Sequence, residues 1–389
     1  MSANKYNPLL HYNSLPLLPP QGIELEPKHI LKLSASARES LAELKTAGRQ
    51  IPNEGILIQT IPYLEAQSSS EIENIITTVD SIMKEASQEG NTQADAATKE
   101  AKRYQVALSH GFKRITQRPI IDHQLLVELC NTLKNIDHGF RKNSNVTIKD
   151  QTTGKVIYTP PQSGNVLREK IDNWVRFVND SSTDLCPLVK VAVAHYQFEA
   201  IHPFLDGNGR TGRILNILML VNDKKLDIPI LYLSRYILMH KTEYYQLIQG
   251  VTENYNWIPW IEFIIQGIDQ TAQWTTNKIN AISRLMQHTK IYLKRHDQQR
   301  KNPKIYSHEL INLIFEHAYC QIQDLTDKGI AKRQTASKYL KTLVDLGILV
   351  QIKHGKQKLF VHTKLSKLLM SASNEFTPYP TPGLAHKST

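Results

Sequence analysis

At 389 residues the chain is longer than one hydrophobic core usually fills, so two or three domains are expected. Hydrophobic residues make up 41%, enough for globular cores, while no apolar run approaches the roughly 20 residues that span a bilayer. The opening M-S-A-N-K-Y-N-P-L-L has no signal-peptide core, and Cys130, Cys186 and Cys320 have neither disulfide-framework nor metal-ligand spacing; a cytoplasmic protein with reduced thiols and no membrane contact is expected.

In chain order, L-L-P-P followed by E-P-K-H-I-L-K-L reads as an extended arm and then a helix, both wrapping the core. Ser69-Ser70-Glu71-Ile72-Glu73-Asn74 taken alone reads as a helix N-terminus, serine followed by acidic residues, with Ile72, Ile75, Ile76, Val79 and Ile82 as its apolar stripe. From Asn145 to Pro161, Val146/Ile148 and Val156/Tyr158 alternate around a polar turn ending at Gly154, the pattern of a β-hairpin. Pro187 opens a helix whose Leu188, Val191, Ala192, His195 and Phe198 form one apolar face, with His195 a packing histidine. Trp257 to Gln299 is a long helical stretch in which Trp257, Trp260 and Trp274 are packing residues.

The chemistry concentrates between His202 and Arg213, which read H-P-F-L-D-G-N-G-R-T-G-R. Gly207, Asn208 and Gly209 give a backbone that turns sharply and offers N–H groups to an anion. The apolar run Ile214, Leu215, Ile217, Leu218, Leu220 reads as a buried helix with its N-terminus at that anion. Arg210 and Arg213 lie three apart, share a helix face and can clamp phosphate oxygens together. His202 is the natural general base near neutral pH, and Asp206 is a hard oxygen ligand suited to Mg²⁺.

This segment closely resembles the Fic family signature H-x-F-x-[DE]-G-N-G-R-x-x-R, with every specified position filled. The resemblance implies transfer of AMP from ATP to a Ser, Thr or Tyr hydroxyl of a target protein, with release of pyrophosphate. His202 then acts as base, Phe204 packs the loop and Asp206 holds Mg²⁺. Gly207, Asn208, Gly209, Arg210, Thr211, Gly212 and Arg213 surround the phosphates. A kinase branch of the superfamily carries lysine where this chain has Gly209, so Gly209 favours adenylyl over phosphoryl transfer.

The resemblance also implies that the hairpin is a flap, with Lys155, Val156, Ile157 and Tyr158 registering the target by strand addition and touching the nucleotide. Glu243-Tyr244-Tyr245 resembles an aromatic pair near the adenine, which places Tyr244 and Tyr245 in the ATP site; aromatic residues at such spacing also read as core. Thr252 stands where some relatives carry asparagine. Ser69 to Asn74 matches the inhibitory motif [ST]-x-x-x-E-[GN]. The inhibitory set is thus Ser69, Glu73 and Asn74, with Glu73 pairing Arg213. Removal of AMP by the same loop is an alternative activity, and self-modification and homodimerisation are expectations of the same kind.

Residues 300 to 367 carry 13 Lys and Arg against 5 Asp and Glu, most of the net charge of +11. An apolar-periodic stretch over 303 to 320, a turn and second helix within Leu325 to Leu346, and short strands at Ile348 to Ile352 and Leu359 to His362 resemble a winged helix-turn-helix. Arg333 to Leu346 is its recognition helix and the Lys353–Lys358 turn its wing. DNA contact through residues 300–368 and docking of proteins are both open readings.

The expected architecture is mainly α. An N-terminal helical region (1–105) carries the inhibitory helix and is followed by a Fic-type core with a β-hairpin flap (106–265). A helical linker (266–299), a winged helix-turn-helix (300–368) and a disordered Ser/Thr/Pro-rich tail (369–389) complete the chain.

Overall fold

The computed structural model describes residues 6–87, 94–150, 153–299, 305–354 and 357–380. The proline-rich arm ahead of the first helix lies on the core. Leu15, Leu18 and Leu25 are buried, and the Asn173 side chain exchanges hydrogen bonds of 2.7 and 2.9 Å with the Leu18 backbone.

Helix α1 (Lys28–Gln50) places Ile30, Ala37, Leu41 and Leu44 on one buried stripe, as helical spacing dictates. After it come α2 (Glu54–Ile72), α3 (Val79–Ala86), α4 (Ala96–Gln117) and α5 (His123–Lys134). The side chains of Asn53, Thr78, Asp95 and Asp122 each accept a hydrogen bond from a first-turn N–H of these four helices. A short hairpin, β1 (Ile148–Lys149) and β2 (Val156–Tyr158), pairs antiparallel with Ile148 opposite Tyr158. Gln151 and Thr152 of its turn lie outside the described residues.

The core is completed by α6 (Asn165–Asn179), α7 (Pro187–Ile201), α8 (Asn208–Asn222), α9 (Leu233–Met239), α10 (Lys241–Asn254) and α11 (Trp257–Gln299). Helix α7 is buried nearly all round, from Leu188 to Ile201, rather than along one face. Trp257 and Trp260 are buried, and the Trp260 indole donates to the Ala192 carbonyl at 2.8 Å. Helix α11 lies along α1, joined to it by Ser36 and Ser40 donating to the Asp269 carboxylate.

Two expectations are corrected here. Ser69 to Asn74 is a helix end, not a start: α2 continues an apolar run through Ile56, Leu57, Ile61 and Leu64, and Asn74 stops it in the left-handed region at φ 61°. Ile76 belongs to no buried stripe and is 77% exposed. The second correction concerns boundaries. Position 105/106 falls inside α4 and 265/266 inside α11, because helical periodicity runs unbroken through the places where the signature motifs end.

The C-terminal module begins with α12 (His308–Glu316), β3 (Tyr319–Cys320), α13 (Ile322–Asp327) and α14 (Arg333–Asp345). It continues with β4 (Val350–His354), β5 (Gln357–Val361) and α15 (Thr363–Met370). The three strands form an antiparallel sheet in the order β3-β5-β4. The periodic stretch over 303 to 320 therefore divides into a helix and a strand. Gly355 and Lys356, at the tip of the expected wing, lie outside the described residues. The module rests against α2, α3 and α11. The Tyr319 hydroxyl donates to Asp80, and the Gln321 amide donates to the Ser87 carbonyl at 2.5 Å.

The tail is also corrected, for residues 371–380. Lys278 is 0% exposed, and its ammonium donates to the carbonyls of Leu368, Ser371 and Ser373 at 2.7, 2.8 and 3.1 Å. Tyr379 is buried and stacks on Tyr292 at 4.9 Å between centroids. Two aromatic residues, Phe376 and Tyr379, outweigh the polar composition by supplying apolar surface to α11. Residues 381–389 lie outside the described residues.

Lys278→Ala removes the donor that gathers these carbonyls. The loss is expected to lower stability by about 1–3 kcal/mol and to speed amide exchange selectively over 371–380. Unfolding midpoints and hydrogen exchange by mass spectrometry check it.

Candidate active site

The loop from His202 to Gly207 joins two buried helices. Helix α7 ends on His202 in the left-handed conformation, φ 51° and ψ 60°, and α8 begins after Gly207 at φ 84°. Asn208 closes the loop: its amide donates to the Phe204 carbonyl and accepts from the Phe204 N–H, both at 2.9 Å. Phe204 is buried against Phe140 and Phe198. The Asn208 side chain is thus a brace for the loop, which leaves the expected cradle to backbone N–H groups. Its backbone N–H remains in the first turn of α8.

His202 is held from two sides. Its Nδ1 lies 3.4 Å from the Glu199 carbonyl, and its own carbonyl accepts from Arg141 Nε at 2.8 Å. Arg141 is 4% exposed and also donates to the Pro161 and Asn143 carbonyls, tying the root of the hairpin to the loop. Burial pushes His202 down to about 4, with the Arg141 cation acting in the same sense, so the imidazole is neutral at physiological pH. With Nδ1 directed at a carbonyl, Nε2 is the nitrogen left to accept a proton.

The two arginines turn to different partners. Arg213 is 2% exposed; it donates to the Ser69 hydroxyl and carbonyl at 2.8 and 2.9 Å and to Glu73 at 2.8 Å. Burial disfavours its charge, but Glu73, Tyr244 and Glu199 more than offset that and raise its pKa. Arg210 is equally buried and donates to Glu100 on α4 at 2.6 Å. The expected joint clamp is therefore divided between α2 and α4. Gly209 lies beneath Glu73, where a Cβ would collide with Glu73 Oε1. Thr211 is buried in the first turn of α8, and Gly212 packs so closely on Glu199 that a Cβ would meet Oε1 at 2.6 Å. Asn74 follows Glu73 and accepts from Lys241 Nζ at 3.0 Å.

Asp206 is 64% exposed. It accepts from the Gly207 N–H at 2.6 Å, and Lys134 Nζ sits 2.6 Å from its other oxygen. Burial raises its pKa, but Lys134 and Arg210 outweigh that and hold it below the usual carboxylate range.

Beside the loop lies a cleft of about 390 Å³ lined by Ile148, Ile157, Tyr158, Glu199, Tyr245, Gln249 and Thr252, among others. The hairpin forms one wall. Ile157 faces outward, Tyr158 anchors the strand by donating to the Ala200 carbonyl at 2.7 Å, and Lys155 and Val156 precede them at the strand's start. Tyr245 is 43% exposed in this cleft, whereas Tyr244 is 2% exposed, and its hydroxyl and the Nε2 of buried His195 are 2.8 Å apart. Tyr244 is therefore packed in the core, the other way such a pair reads, and Tyr245 is the member that faces the cleft. Adjacent helix positions point about 100° apart, so only one of the pair can reach the cleft.

Residues 120–220 match the Fic/DOC family and residues 31–113 the Fic/DOC family N-terminal region. Residues 285–365 match the C-terminal domain of SoFic-like protein adenylyltransferases. The chain thus carries Fic/DOC family domains over residues 31–113 and 120–220. It is 29% identical over 190 residues to a protein of Aquifex aeolicus named a probable protein adenylyltransferase, covering 47% of this chain and 56% of the relative. Against the protein adenylyltransferase Fic of Drosophila willistoni it is 26% identical over 220 residues, covering 49% and 41%. The chain thus spans about half the length of the curated relatives it matches. The fold is shared with a Fic family protein from Desulfovibrio desulfuricans, TM-score 0.53 at 18% identity, over 88% of this chain and 98% of that one.

Four residues at this Fic loop carry no signal in the linear motif: Glu100, Lys134, Arg141 and Glu199. Each reaches the loop from another element or from the end of α7. Burial pushes the Glu199 carboxyl up to about 8, so it is largely protonated at neutral pH.

A titration of the His202 imidazole by NMR is expected to give a pKa near 4, below the unfolded value of about 6.5. The sign follows: the unfolded chain takes up a proton that the folded chain refuses, so this contribution to stability is lost as pH falls from about 6.5 toward 4. An imidazole titrating at its ordinary value would contradict the enclosure described here.

Proposed function

We propose that this chain transfers AMP from ATP to a hydroxyl side chain of a target protein, and that Glu73 restrains the reaction. The observation that carries this reading is the 2.8 Å contact of Glu73 with Arg213, directly over Gly209 of the glycine loop. A carboxylate there occupies the cation and the space that a terminal phosphate needs. The names of the relatives support the same chemistry.

The reaction assigns each group a task. ATP lies with its phosphates along the N-terminus of α8 and its base toward Tyr245. The target hydroxyl oxygen attacks the α-phosphorus, its proton passes to Nε2 of His202, and the bond to the β-phosphate oxygen breaks to release pyrophosphate. Neutral His202 is ready for this role, and positioning by Arg213, Arg210 and the loop N–H groups supplies most of the catalysis.

The residues fit Mg²⁺. Asp206 is an exposed carboxylate at the loop, and Mg²⁺ is usually held by one or two carboxylates together with substrate phosphates rather than by an all-protein cage. Among the described residues no cluster of three or more His, Cys, Asp or Glu forms such a cage. Asp206 would hold the ion, which neutralises phosphate charge when bound. Lys155 to Tyr158 would register the target, with the outward face of Ile157 toward it.

Glu73→Gly is expected to raise AMP transfer, self-modification included, by at least tenfold, roughly the worth of a freed charged phosphate contact. Arg213→Ala breaks the same pair, yet leaves the rate at or below wild type because the clamp is lost. Labelled ATP with a gel reads both. A Glu73→Gly protein no faster than wild type means that the end of α2 is merely structural, and release of AMP from a modified target in the parallel assay would favour the removal reaction.

A second reading concerns the C-terminal module. Lys332, Arg333, Lys338 and Lys341 are exposed at the start and along one side of α14, the surface of a winged helix that faces DNA. Binding to duplex DNA that weakens steeply with salt, and weakens further when Lys332, Arg333 and Lys338 are replaced, is the expected result of titrations at several salt concentrations. Absence of binding at low salt leaves protein docking as the module's role.

A further inference from the structure

The cleft beside the Fic loop has a wall that neither α7 nor α10 provides. Tyr6, from the N-terminal arm, lines the same 390 Å³ space as Ile148, Ile157, Glu199 and Tyr245. Its hydroxyl donates to the Ile157 carbonyl at 3.1 Å, and its ring lies nearly parallel to Tyr158, 6.0 Å between centroids and 21° between planes. Tyr12 meets both rings edge-on, at 5.3 and 6.2 Å.

The arm is fixed in this place by a row of contacts along the chain leaving β2. Tyr12 N–H donates to the Thr159 carbonyl at 3.0 Å, and the Thr159 hydroxyl donates to the Pro8 carbonyl at 2.6 Å. His11 Nδ1 lies 2.9 Å from the Pro160 carbonyl, and Asn13 exchanges bonds of 3.1 and 2.8 Å with Gln162. Farther on, Gln197 on α7 donates to the Pro16 carbonyl at 2.7 Å. Tyr6 thus precedes an arm that is held from Pro8 to Pro16 on the chain after β2 and on α7, and its own hydroxyl bonds to β2.

The cleft reaches the end of α7, just ahead of the glycine loop. Glu199 lines it while its Oε1 packs against Gly212 of α8, and Ala200 lies two residues before His202. The remaining lining is Ile248 and the polar side chains of Asp150, Thr242, Gln246, Gln249 and Thr252. A slot with flat and branched apolar sides and a few amide donors and acceptors suits a planar heteroaromatic base.

We infer that Tyr6 is a nucleobase-contacting residue, the N-terminal arm supplying one wall of the site that receives the base of the nucleotide. The inference rests on the nucleotide reading given above, and it makes the arm part of the site rather than an appendage to it. The ring does the work; the hydroxyl sets its place on β2.

The test compares full-length Tyr6→Ala and Tyr6→Phe by calorimetry in a Glu73→Gly background, where Arg213 is released. ATP and inorganic tripolyphosphate are the two probes. Tyr6→Ala is expected to bind ATP about tenfold more weakly, the worth of one lost aromatic contact with its buried area, and tripolyphosphate as before. Tyr6→Phe keeps the ring and is expected to stay within about twofold of the parent for both probes. Unchanged ATP affinity in Tyr6→Ala overturns the inference, and so does an equal loss for both probes, which marks a general disturbance of the loop. A parent protein that binds neither probe overturns the nucleotide reading itself, and with it this one.

Discussion

A guanidinium with almost no access to water is the constraint around which the site is arranged. Arg213 sits in the first turns of α8, and an unpaired charge there would cost several kcal/mol. Ser69 and Glu73 meet that need, and they do so only if the last turn of α2 is pressed against α8. The adjoining Ser68 and Ser70 are buried too, small enough for the close approach. Below them Glu65, fully buried, accepts from the Tyr104 hydroxyl at 2.9 Å and from the Ser234 N–H at 2.9 Å. Burial raises its pKa, against which Ser234 and Tyr104 act. Helix α2 is thus held near the site by polar contacts arranged in tiers, together with the apolar residues along its earlier turns.

The same logic reaches outward. Arg141, a buried cation whose hydrogen-bond partners are backbone carbonyls, joins the hairpin root to His202, so the hairpin and the loop share one anchor. The N-terminal arm is stitched to the chain that leaves the hairpin, and Lys278 gathers the C-terminal segment onto α11. Segments distant in sequence are fastened through carbonyl groups left over at loops and helix ends, which buried amides, hydroxyls and ammonium groups satisfy.

What the sequence made legible was what chemistry requires to be contiguous. A loop that turns on glycines and runs into a helix must carry its residues in order, so His202 to Arg213 could be read directly, as could the hairpin from its alternation. Partners brought in by folding left no such trace: Glu100 meets Arg210 across 110 positions, and Lys134 reaches Asp206 from the end of α5. Direction was the second difficulty. Serine and acidic residues favour helix starts, but at Ser69 to Asn74 they close a helix, since Arg213 offers Ser69 and Glu73 a stronger partner than a first-turn N–H does. Tyr244 and Tyr245 show a third, because adjacency along a helix separates side chains between core and cleft. Polar composition misled once, at 371–380, where Phe376 and Tyr379 were sufficient to dock the segment.

The bare α-carbon of Gly209 has one more implication. Any side chain there would collide with Glu73 and crowd Arg213 at the same time, so the Glu73–Arg213 contact and the loop depend on the same vacant volume. The other side of that contact is the C-terminal end of α2, where Glu73 follows the final turn. That turn ends at a left-handed asparagine tethered to Lys241, and residues 75–78 beyond it have no regular structure. The contact that holds Glu73 over Gly209 is therefore set from outside the loop, by the end of α2 and the stretch 75–78 that follows it.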